Sequence, residues 1–488
     1  MPAPGGHDDL SHSTPPINHG NTPPHYGGGM QDGEGQPATP PAFVRSLGVT
    51  GVLFLTLSVT TPASSVFVFL PDMIAIAGTG AIWAFLIAAV VCVATAFIYA
   101  ELSSAWPVAG GEYVMVAHTL GPFAGFVMLG VNVFNNLIFL PVAGLGISAV
   151  LSVVIPGLPE IPTALAVIAA CTLVGLFDIR INAAITGCFL ALEVLALVVV
   201  AWLGFGDAIR SPVDFLTAPV AGAALAPASL ASIGVATSIA IFALNGYGAA
   251  VYFGEEMREA PAKIARAIMW ALGITLLLEG LPLLGVLMGT RDLPALFASE
   301  NPFGDLVVQL AGPEPAKWIA LAVALAIINA IIAWVLACAR FFYGTGRDRS
   351  WGRPLDGWLT AMHPRLGSPW AATLLLGAAG MGLCFLPKAT LEVWSGTGLI
   401  AIYAGIAVAV IIGRRTGSSA HARYRMPLYP LAPLITIGAL IYVAWTNWLD
   451  VETGRPALVA TAVQIAVAAG YYHLFLRRRG TWTVHIPD

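Results

Sequence analysis

The sequence predicts an all-α polytopic membrane protein, and two observations lead to this class. First, 58% of the 488 residues are hydrophobic and only 10% are charged, with a mean hydropathy of +0.82, whereas a soluble chain carries about 25% charged residues. Second, apolar runs recur that are long enough to cross the bilayer core, which takes roughly 20 helical residues. Twelve spans are predicted: 47–75, 80–100, 121–150, 161–178, 183–205, 231–256, 265–289, 315–344, 369–387, 391–413, 429–448 and 457–476.

The basic residues test this count and orient the chain. With twelve spans, seventeen of the 22 Lys and Arg residues lie on the side of the membrane where the N-terminus lies. Cytoplasmic loops carry such an excess of positive charge. Both termini are therefore predicted to be cytoplasmic, and the chain is predicted to lie in the plasma membrane.

The ends of the chain differ from its middle. Residues 1–43 are rich in Pro, Gly, His, Ser and Asn, a composition that predicts a disordered tail and is not that of a signal peptide. Four histidines in this tail could bind a metal or simply be solvated, and we expect solvation: His7, His12, His19 and His25. Residues 44–480 are the predicted transmembrane domain, and 481–488 a second cytoplasmic tail.

Two of the predicted spans are interrupted in the middle. Residues 58–65 read SVTTPASS, and residues 245–248 read NGYG. A proline inside a helix removes a backbone hydrogen bond, and nearby hydroxyls offer the freed groups other partners. Within the bilayer such breaks survive only inside protein or beside a cavity. Paired breaks in two halves of a chain point to the binding site of a secondary transporter.

The positions of the breaks predict an inverted repeat. They fall in spans one and six, so equivalent elements are five spans apart, and an odd offset reverses the second half relative to the first. The predicted repeats are about 47–205 and 231–413, with spans eleven and twelve (429–476) appended.

Three motifs resemble one family. Residues 100–113, AELSSAWPVAGGEY, resemble the AELSS-x-x-PVAGGEY signature of the amino acid–polyamine–organocation (APC) transporters. Residues 242–261, FALNGYGAAVYFGEEMREAP, and 339–354, ARFFYGTGRDRSWGRP, resemble that family's sixth helix and the basic loop after its eighth. The resemblance covers about residues 45–480. It implies a leucine-transporter-type fold in which spans 1, 2, 6 and 7 rock against spans 3, 4, 8 and 9.

The first break is the candidate site for a substrate carboxylate. A half-helix starting near Ser64 would present unpaired N–H groups and a positive helix end to an anion. The APC family usually carries a Gly-Ser-Gly-like tripeptide there, whereas this chain has Ala63, Ser64 and Ser65, which keep hydroxyls but lack glycine. The candidate residues also include Thr60 and Thr61. The alternative is a proline-kinked helix with self-capping serines and no ligand.

The second break is the candidate site for the substrate ammonium. Unwound carbonyls at Ala243 and Asn245, next to Gly246, would accept hydrogen bonds from it. By the resemblance, Phe242 covers the bound substrate and helps to gate it, whereas the alternative for this ring is simple packing. Tyr247 is a further candidate for lining the path.

Polar residues elsewhere in the spans have competing interpretations. A stripe of three amides in span three, formed by Asn132, Asn135 and Asn136, shares a helix face and serves either as interhelical glue or as site lining. Glu193 in span five is an intramembrane carboxylate, a functional candidate by default, and is either a proton carrier for coupling or a structural glutamate. Glu279 and Asp72 are secondary candidates, expected nearer the outer face.

The coupling ion and the charge of the substrate are predicted from residue types that are missing at the relevant positions. In relatives of this fold, the resemblance places a sodium site on hydroxyl oxygens of span eight, because hard cations need oxygen ligands. Between Lys317 and Gly344 this chain has no Ser or Thr. Proton symport or exchange is therefore preferred to sodium coupling. No acidic residue lies at either break, which favours a neutral amino acid.

The alternatives are a polyamine or organic amine transporter, or an amino acid sensor on the same scaffold. No enzymatic motif, metal site, cofactor or nucleic-acid partner is predicted. The predicted partners are a small-molecule substrate (an amino acid or amine) and the lipid bilayer.

Overall fold

The computed structural model describes residues 43–484 except 152–153, 156, 178, 450, 452–453, 481 and 483. The predicted tail at 1–43 therefore lies outside the described residues apart from Phe43, and the tail at 481–488 apart from Trp482 and Val484. Trp482 is buried, with its ring tilted against Tyr113 at 6.2 Å and edge-on to Phe126 at 5.4 Å. The sequence analysis did not anticipate this packing.

The described chain is predominantly helical. In chain order its helices are α1 (Val49–Thr60), α2 (Pro62–Ser64), α3 (Leu70–Ala77), α4 (Ala81–Ala105), α5 (Glu112–Leu120), α6 (Pro122–Leu151), α7 (Glu160–Val174), α8 (Ile179–Gly206), α9 (Pro212–Thr217), α10 (Leu230–Ala243), α11 (Ala260–Gly289), α12 (Leu293–Ala298), α13 (Pro302–Ala311), α14 (Pro313–Arg347), α15 (Arg353–Leu359), α16 (Trp370–Leu383), α17 (Lys388–Thr416), α18 (Leu431–Leu449) and α19 (Gly454–Tyr471). A π-helical turn, Ser65–Phe69, joins α2 to α3, and a 3-10 helix, Tyr247–Glu256, follows α10.

The helices confirm a polytopic membrane protein. Nine stretches of the described residues are long and apolar enough to span a bilayer, and the first of them, Val49–Ala105, contains two of the predicted spans. Two shorter apolar helices, α7 and α16, coincide with the fourth and ninth predicted spans. The exact count of twelve and the inverted repeat remain predictions.

The connections contain elements that the sequence analysis missed. The amphipathic segments α5, α9, α12, α13 and α15 lie between the longer helices, and a two-stranded antiparallel hairpin joins β1 (Val220–Ala221) to β2 (Ala226–Pro227). These elements are short, and all of them lie between the predicted spans.

Two sets of helices enclose the breaks. In one, α4 packs against α10, α11 and α18, and α1 packs against α11 and the 3-10 helix. In the other, α6 packs against α7, α14, α16 and α17. The short α2 touches α8, α11 and α14. Apolar side chains such as Trp202 and Leu195 face outward, where a bilayer would cover them.

Candidate functional site

The first helix breaks at Thr61. This residue has a left-handed backbone, φ 45° and ψ 69°, which is a strained conformation for a β-branched side chain. Its N–H still bonds to the Leu57 carbonyl, 2.9 Å away, and Pro62 starts the next helix at a position where its missing N–H is not needed. The new helix thus starts two residues earlier than the predicted Ser64.

The second break lies directly against the first. α10 ends at Ala243, and Gly246 has φ 118°. A Cβ added at Gly246 would lie 2.7 Å from the Thr60 Cα, so only glycine permits this approach. The Ser65 hydroxyl also donates to the Ala243 carbonyl at 2.9 Å. Two contacts therefore hold the broken segments together at one place.

A carboxylate from a third helix reaches the first break. The Ala63 N–H donates to Glu193 Oε1 at 2.8 Å, and Glu193 on α8 is fully buried. An anion at a helix N-terminus is stabilised by the exposed N–H groups and the helix dipole. Glu193 thus occupies one of the backbone donors that the sequence analysis had assigned to the substrate.

A central cavity of about 50 Å³ joins the breaks. It is lined by seven of the ten predicted substrate-binding residues: Thr60, Thr61, Ser65, Phe242, Ala243, Asn245 and Gly246. Three others do not line it: Ala63, Ser64 and Tyr247. Tyr247 is instead fully buried, with its ring edge-on to that of Tyr99 at 6.0 Å.

The cavity also has walls that sequence analysis missed. One of them, Phe69, lies in the π-helical turn after the first break, and the others come from distant helices: Phe139 on α6, Trp334 on α14 and Ser395 on α17. The Trp334 indole N–H donates to the Asn136 carbonyl at 2.9 Å, and the Ser395 hydroxyl to Asn135 Oδ1 at 3.2 Å. No local signal marks such residues, because only the packing of distant helices brings them here.

Two phenylalanines separate this cavity from a larger one. Phe69 and Phe242 line both the central cavity and a second cavity of about 230 Å³. Their rings meet edge to face with centroids 4.9 Å apart, a favoured aromatic geometry. Asp72 lines the second cavity. The gating role of Phe242 stays a prediction.

The amide stripe of span three divides between its two predicted roles. Asn135 lines the central cavity. Asn132 donates to Glu112 Oε2 at 2.8 Å, and Asn136 donates to the Tyr252 hydroxyl at 3.4 Å. Interhelical bonding and site lining are thus both present on one helix face.

Glu112, on the short helix α5 between two spanning helices, is the centre of a buried hydrogen-bond network. Its carboxylate accepts hydrogen bonds from Tyr99 (2.8 Å), Tyr252 (3.0 Å) and Asn132 (2.8 Å). Burial raises the pKa of Glu112, and these donors act against that rise. Glu112 belongs to the motif at residues 100–113, and no role was predicted for it from the sequence. It links α5 to α4, α6 and the 3-10 helix.

Buried ion pairs close the side of the bundle on which α1 begins. Arg340 on α14 pairs with Glu256, and both side chains are at most 4% exposed. Arg347 pairs with Glu255 at 2.8 Å. Phe43 and Phe253 lie beneath the Arg340 guanidinium, with centroids 5.7 and 5.6 Å away. These contacts tie the second broken segment to α14.

Two broken helices that meet at a cavity within a bundle of apolar helices are typical of secondary transporters. The chain belongs to the amino acid permease family: the family described as "Amino acid permease" matches residues 47–469. It is therefore a permease of the APC superfamily, a transporter and not an enzyme, as the three motifs had indicated.

Several curated relatives are transporters. An "Uncharacterized transporter" of Mycobacterium tuberculosis is 30% identical over 70% of this chain and 73% of its own length. A branched-chain amino acid permease of Lactococcus lactis is 25% identical over 86% and 93% of the two chains. A methylthioribose transporter of Bacillus subtilis is 22% identical over 82% and 87%. Amino acid transport is thus supported at the level of the family.

Proposed function

We propose that this protein is a secondary active transporter that moves neutral amino acids across the plasma membrane by alternating access, with both termini cytoplasmic. The observation that carries the proposal is the meeting of two broken helices at one enclosed cavity, where Gly246 abuts Thr60. Breaks of this kind form the midplane sites of transporters. The proposed architecture is the twelve-span, five-plus-five inverted repeat.

The broken ends supply complementary groups for an amino acid. The substrate carboxylate is proposed to bind the first turn of the resumed helix, where Ser65 lines the cavity and Ser64 does not. The Ser65 N–H donates to the Thr61 carbonyl at 3.1 Å and the Ala63 N–H to Glu193, so the carboxylate would take the place of one of these acceptors. The substrate ammonium would bind carbonyls near Thr60 and Ala243. Since the Ser65 hydroxyl donates to the Ala243 carbonyl, substrate binding there would replace an internal hydrogen bond rather than desolvate a free group.

A neutral substrate is favoured by the charge of the cavity. No acidic side chain is found among the described residues that line the central cavity, and a cationic amino acid or polyamine needs a buried counter-charge. The relatives from Lactococcus lactis and Bacillus subtilis named branched-chain amino acid permeases are in accord with an apolar side chain.

Alternating access would use the two closures that flank the cavity. The Phe69–Phe242 pair would open toward the larger cavity on one side. On the other side, movement of the second broken segment would separate Glu256 from Arg340 and Glu255 from Arg347. In this proposal α1–α4, α10 and α11 move as the bundle against α6, α7, α14 and α16.

Proton symport or exchange is the proposed energy source. The one amide in the middle of α14, Asn329, donates to the Ser58 hydroxyl at 3.0 Å, and sodium coordination needs several oxygen ligands. Glu193 is the proposed coupling residue, because it is buried and bonded to the broken helix.

The test is uptake of radiolabelled amino acids into proteoliposomes that contain the purified protein. Pooled neutral amino acids are offered under an inward proton gradient, with and without sodium, and again after preloading for exchange. Saturable uptake competed by neutral amino acids supports the proposal. Uptake competed only by arginine, putrescine or methylthioribose overturns the substrate class, and binding without uptake or exchange supports a sensor.

A further inference from the structure

Two buried carboxyls lie next to the first break, and neither lines the central cavity. Glu279 on α11 is fully buried, and neither of its carboxyl oxygens has a hydrogen-bond partner among the described residues. Glu193 Oε2 likewise has no described partner, although Oε1 is bonded to Ala63. The sequence analysis expected Glu279 nearer the outer face, whereas the structure places it beside Ser65.

The two carboxyls flank the same short helix. Both α8 and α11 pack on α2, and α11 also packs on the π-helical turn that follows α2. The Thr275 hydroxyl, one turn before Glu279, is also buried without a partner among the described residues, whereas the Thr61 hydroxyl at the break acts on the Glu193 carboxyl. Unpaired oxygens of two carboxyls and one hydroxyl in one packed region indicate a ligand or proton that the protein–protein contacts do not supply.

The titratable neighbours provide no counter-charge. Glu193 faces Glu279 from α8, and Cys92 faces it from α4, next to Tyr247 of the 3-10 helix. The α1, α2 and π-helical segments contribute no titratable side chain. Asp305 of α13, which also packs on α11, is exposed and bonds to Ser299. No lysine, arginine or histidine acts on either carboxyl within the described part of the chain.

The free-energy cost of burying charge decides which of the two carboxyls carries a proton. An isolated ionised carboxylate in an apolar interior is strongly unfavourable, and two neighbouring carboxylates cannot both ionise cheaply. Glu193 has the Ala63 N–H and the helix end to stabilise negative charge. The Ser65 hydroxyl beside Glu279 donates to the Ala243 carbonyl instead, so a single proton on the pair is better placed on Glu279 than on Glu193.

We propose that Glu279 and Glu193 form a proton-binding site separate from the substrate cavity, with Glu279 carrying the transported proton and Glu193 linking it to the first break. The inference rests on the proposed transport function. When the broken helix moves and water reaches Glu279, its O–H bond breaks, the proton passes to water and the carboxylate remains. That new negative charge repels the Glu193 carboxylate and so alters its hydrogen bond with the Ala63 N–H.

The experiment compares proton movement with substrate movement in the same proteoliposomes. A trapped pH dye reports protons, and exchange of labelled for unlabelled substrate at equal pH reports functional carriers. For one proton per substrate, a one-unit pH gradient supports about tenfold accumulation in the wild type. For Glu279→Gln we expect accumulation to fall to the level without a gradient, and the ratio of proton flux to exchange flux to fall with it.

Two further variants act as controls. Glu160→Gln makes the same chemical change at an exposed residue of α7 and should keep the wild-type ratio. Glu279→Asp keeps the carboxyl and should retain coupling. A Glu279→Gln variant that moves protons with substrate overturns the proposal, and so does accumulation that follows a sodium gradient instead. No wild-type uptake or exchange would refute the transport function itself.

A measurement without transport covers the case in which Glu279→Gln fails to fold. Infrared difference spectra of purified protein, recorded between acidic and alkaline pH, should contain the band of a buried protonated carboxyl. The band should be present in Glu160→Gln and displaced in Glu279→Asp. A wild-type spectrum with no such band, or one unchanged in Glu279→Asp, overturns the assignment.

Discussion

The Glu193 carboxylate and the backbone N–H of Ala63 are joined by a 2.8 Å hydrogen bond that connects α8 to the first turn of the resumed helix. A buried side chain from one helix thereby caps the broken end of another. The residue that caps this helix end is an acid, and the proposed ligand for the same end is the carboxylate of an amino acid.

The first prediction concerns the stability that this bond provides. Glu193→Gln keeps an oxygen that can accept from Ala63, whereas Glu193→Leu leaves a buried N–H unsatisfied. A lost partner of this kind costs about 1–3 kcal/mol. Thermal unfolding of the detergent-purified proteins should show a lower midpoint for the leucine variant than for the glutamine variant, and equal midpoints would contradict the capping role.

The second prediction concerns the contact between the breaks. Gly246→Ala places a Cβ 2.7 Å from the Thr60 Cα at a positive φ, and such backbone strain costs about 1–3 kcal/mol. We expect at least a tenfold loss of uptake with normal membrane insertion, measured in proteoliposomes. The matched control is Gly273→Ala on α11, where a Cβ meets no atom within 4 Å. Equal uptake by both variants would show that the breaks need not touch.

The third prediction concerns the buried ion pair on the side where α1 begins. Removing one partner by Glu256→Met or Arg340→Met leaves the other charge uncompensated, which costs about 3–5 kcal/mol. The double variant, Glu256→Met with Arg340→Met, should recover most of this loss, because it removes both charges. A double-mutant cycle on unfolding midpoints measures the coupling, and additive losses would show that the two residues act independently.

The fourth prediction concerns the partition between the cavities. Phe242→Ala removes the edge-to-face contact with Phe69 and should connect the central cavity to the larger one. A Ser395→Cys reporter in the central cavity should then react faster with a water-soluble thiol reagent. Phe385→Ala, at an exposed ring, serves as the control and should leave the labelling rate unaltered. An unchanged rate in Phe242→Ala would exclude the gate.

The fifth prediction concerns pH and the Glu112 network. Burial raises the pKa of Glu112 from its ordinary value of 4.5, so the folded state binds the proton more tightly than the unfolded state. Stability from this group is therefore present below that ordinary value and is lost as pH rises through the folded-state pKa. Tyr252→Phe removes one donor to the carboxylate and should raise that pKa further.

The measurement for this network is the unfolding midpoint as a function of pH. The destabilisation by Tyr252→Phe should be larger near neutral pH than under mildly acidic conditions, where Glu112 is protonated in both proteins. Tyr442→Phe, at an exposed tyrosine of α18, is the control. A pH-independent difference would mean that the Tyr252 hydroxyl does not stabilise the charged form of Glu112.

The sequence predicted the helices well because membrane spans are local features. The interrupted spans were found at Pro62 and Gly246, since proline and glycine disturb a helix by their own covalent structure. The family was recognised from contiguous motifs. In contrast, Trp334 and Ser395 carry no sign of a role in their own segments, and Tyr247 was placed near the path although it is buried away from the cavity.

The sequence by itself determined the class of protein, the positions of both breaks and the polar groups available there. These follow from hydropathy, backbone chemistry and motif, which act over a few residues. Only the tertiary structure decided that Glu193 caps the Ala63 N–H and that Glu279 lies beside Ser65 without a described partner. The side on which a helical side chain meets its neighbours depends on the rotation and packing of whole helices. In this chain those helices are contributed by segments far apart in sequence.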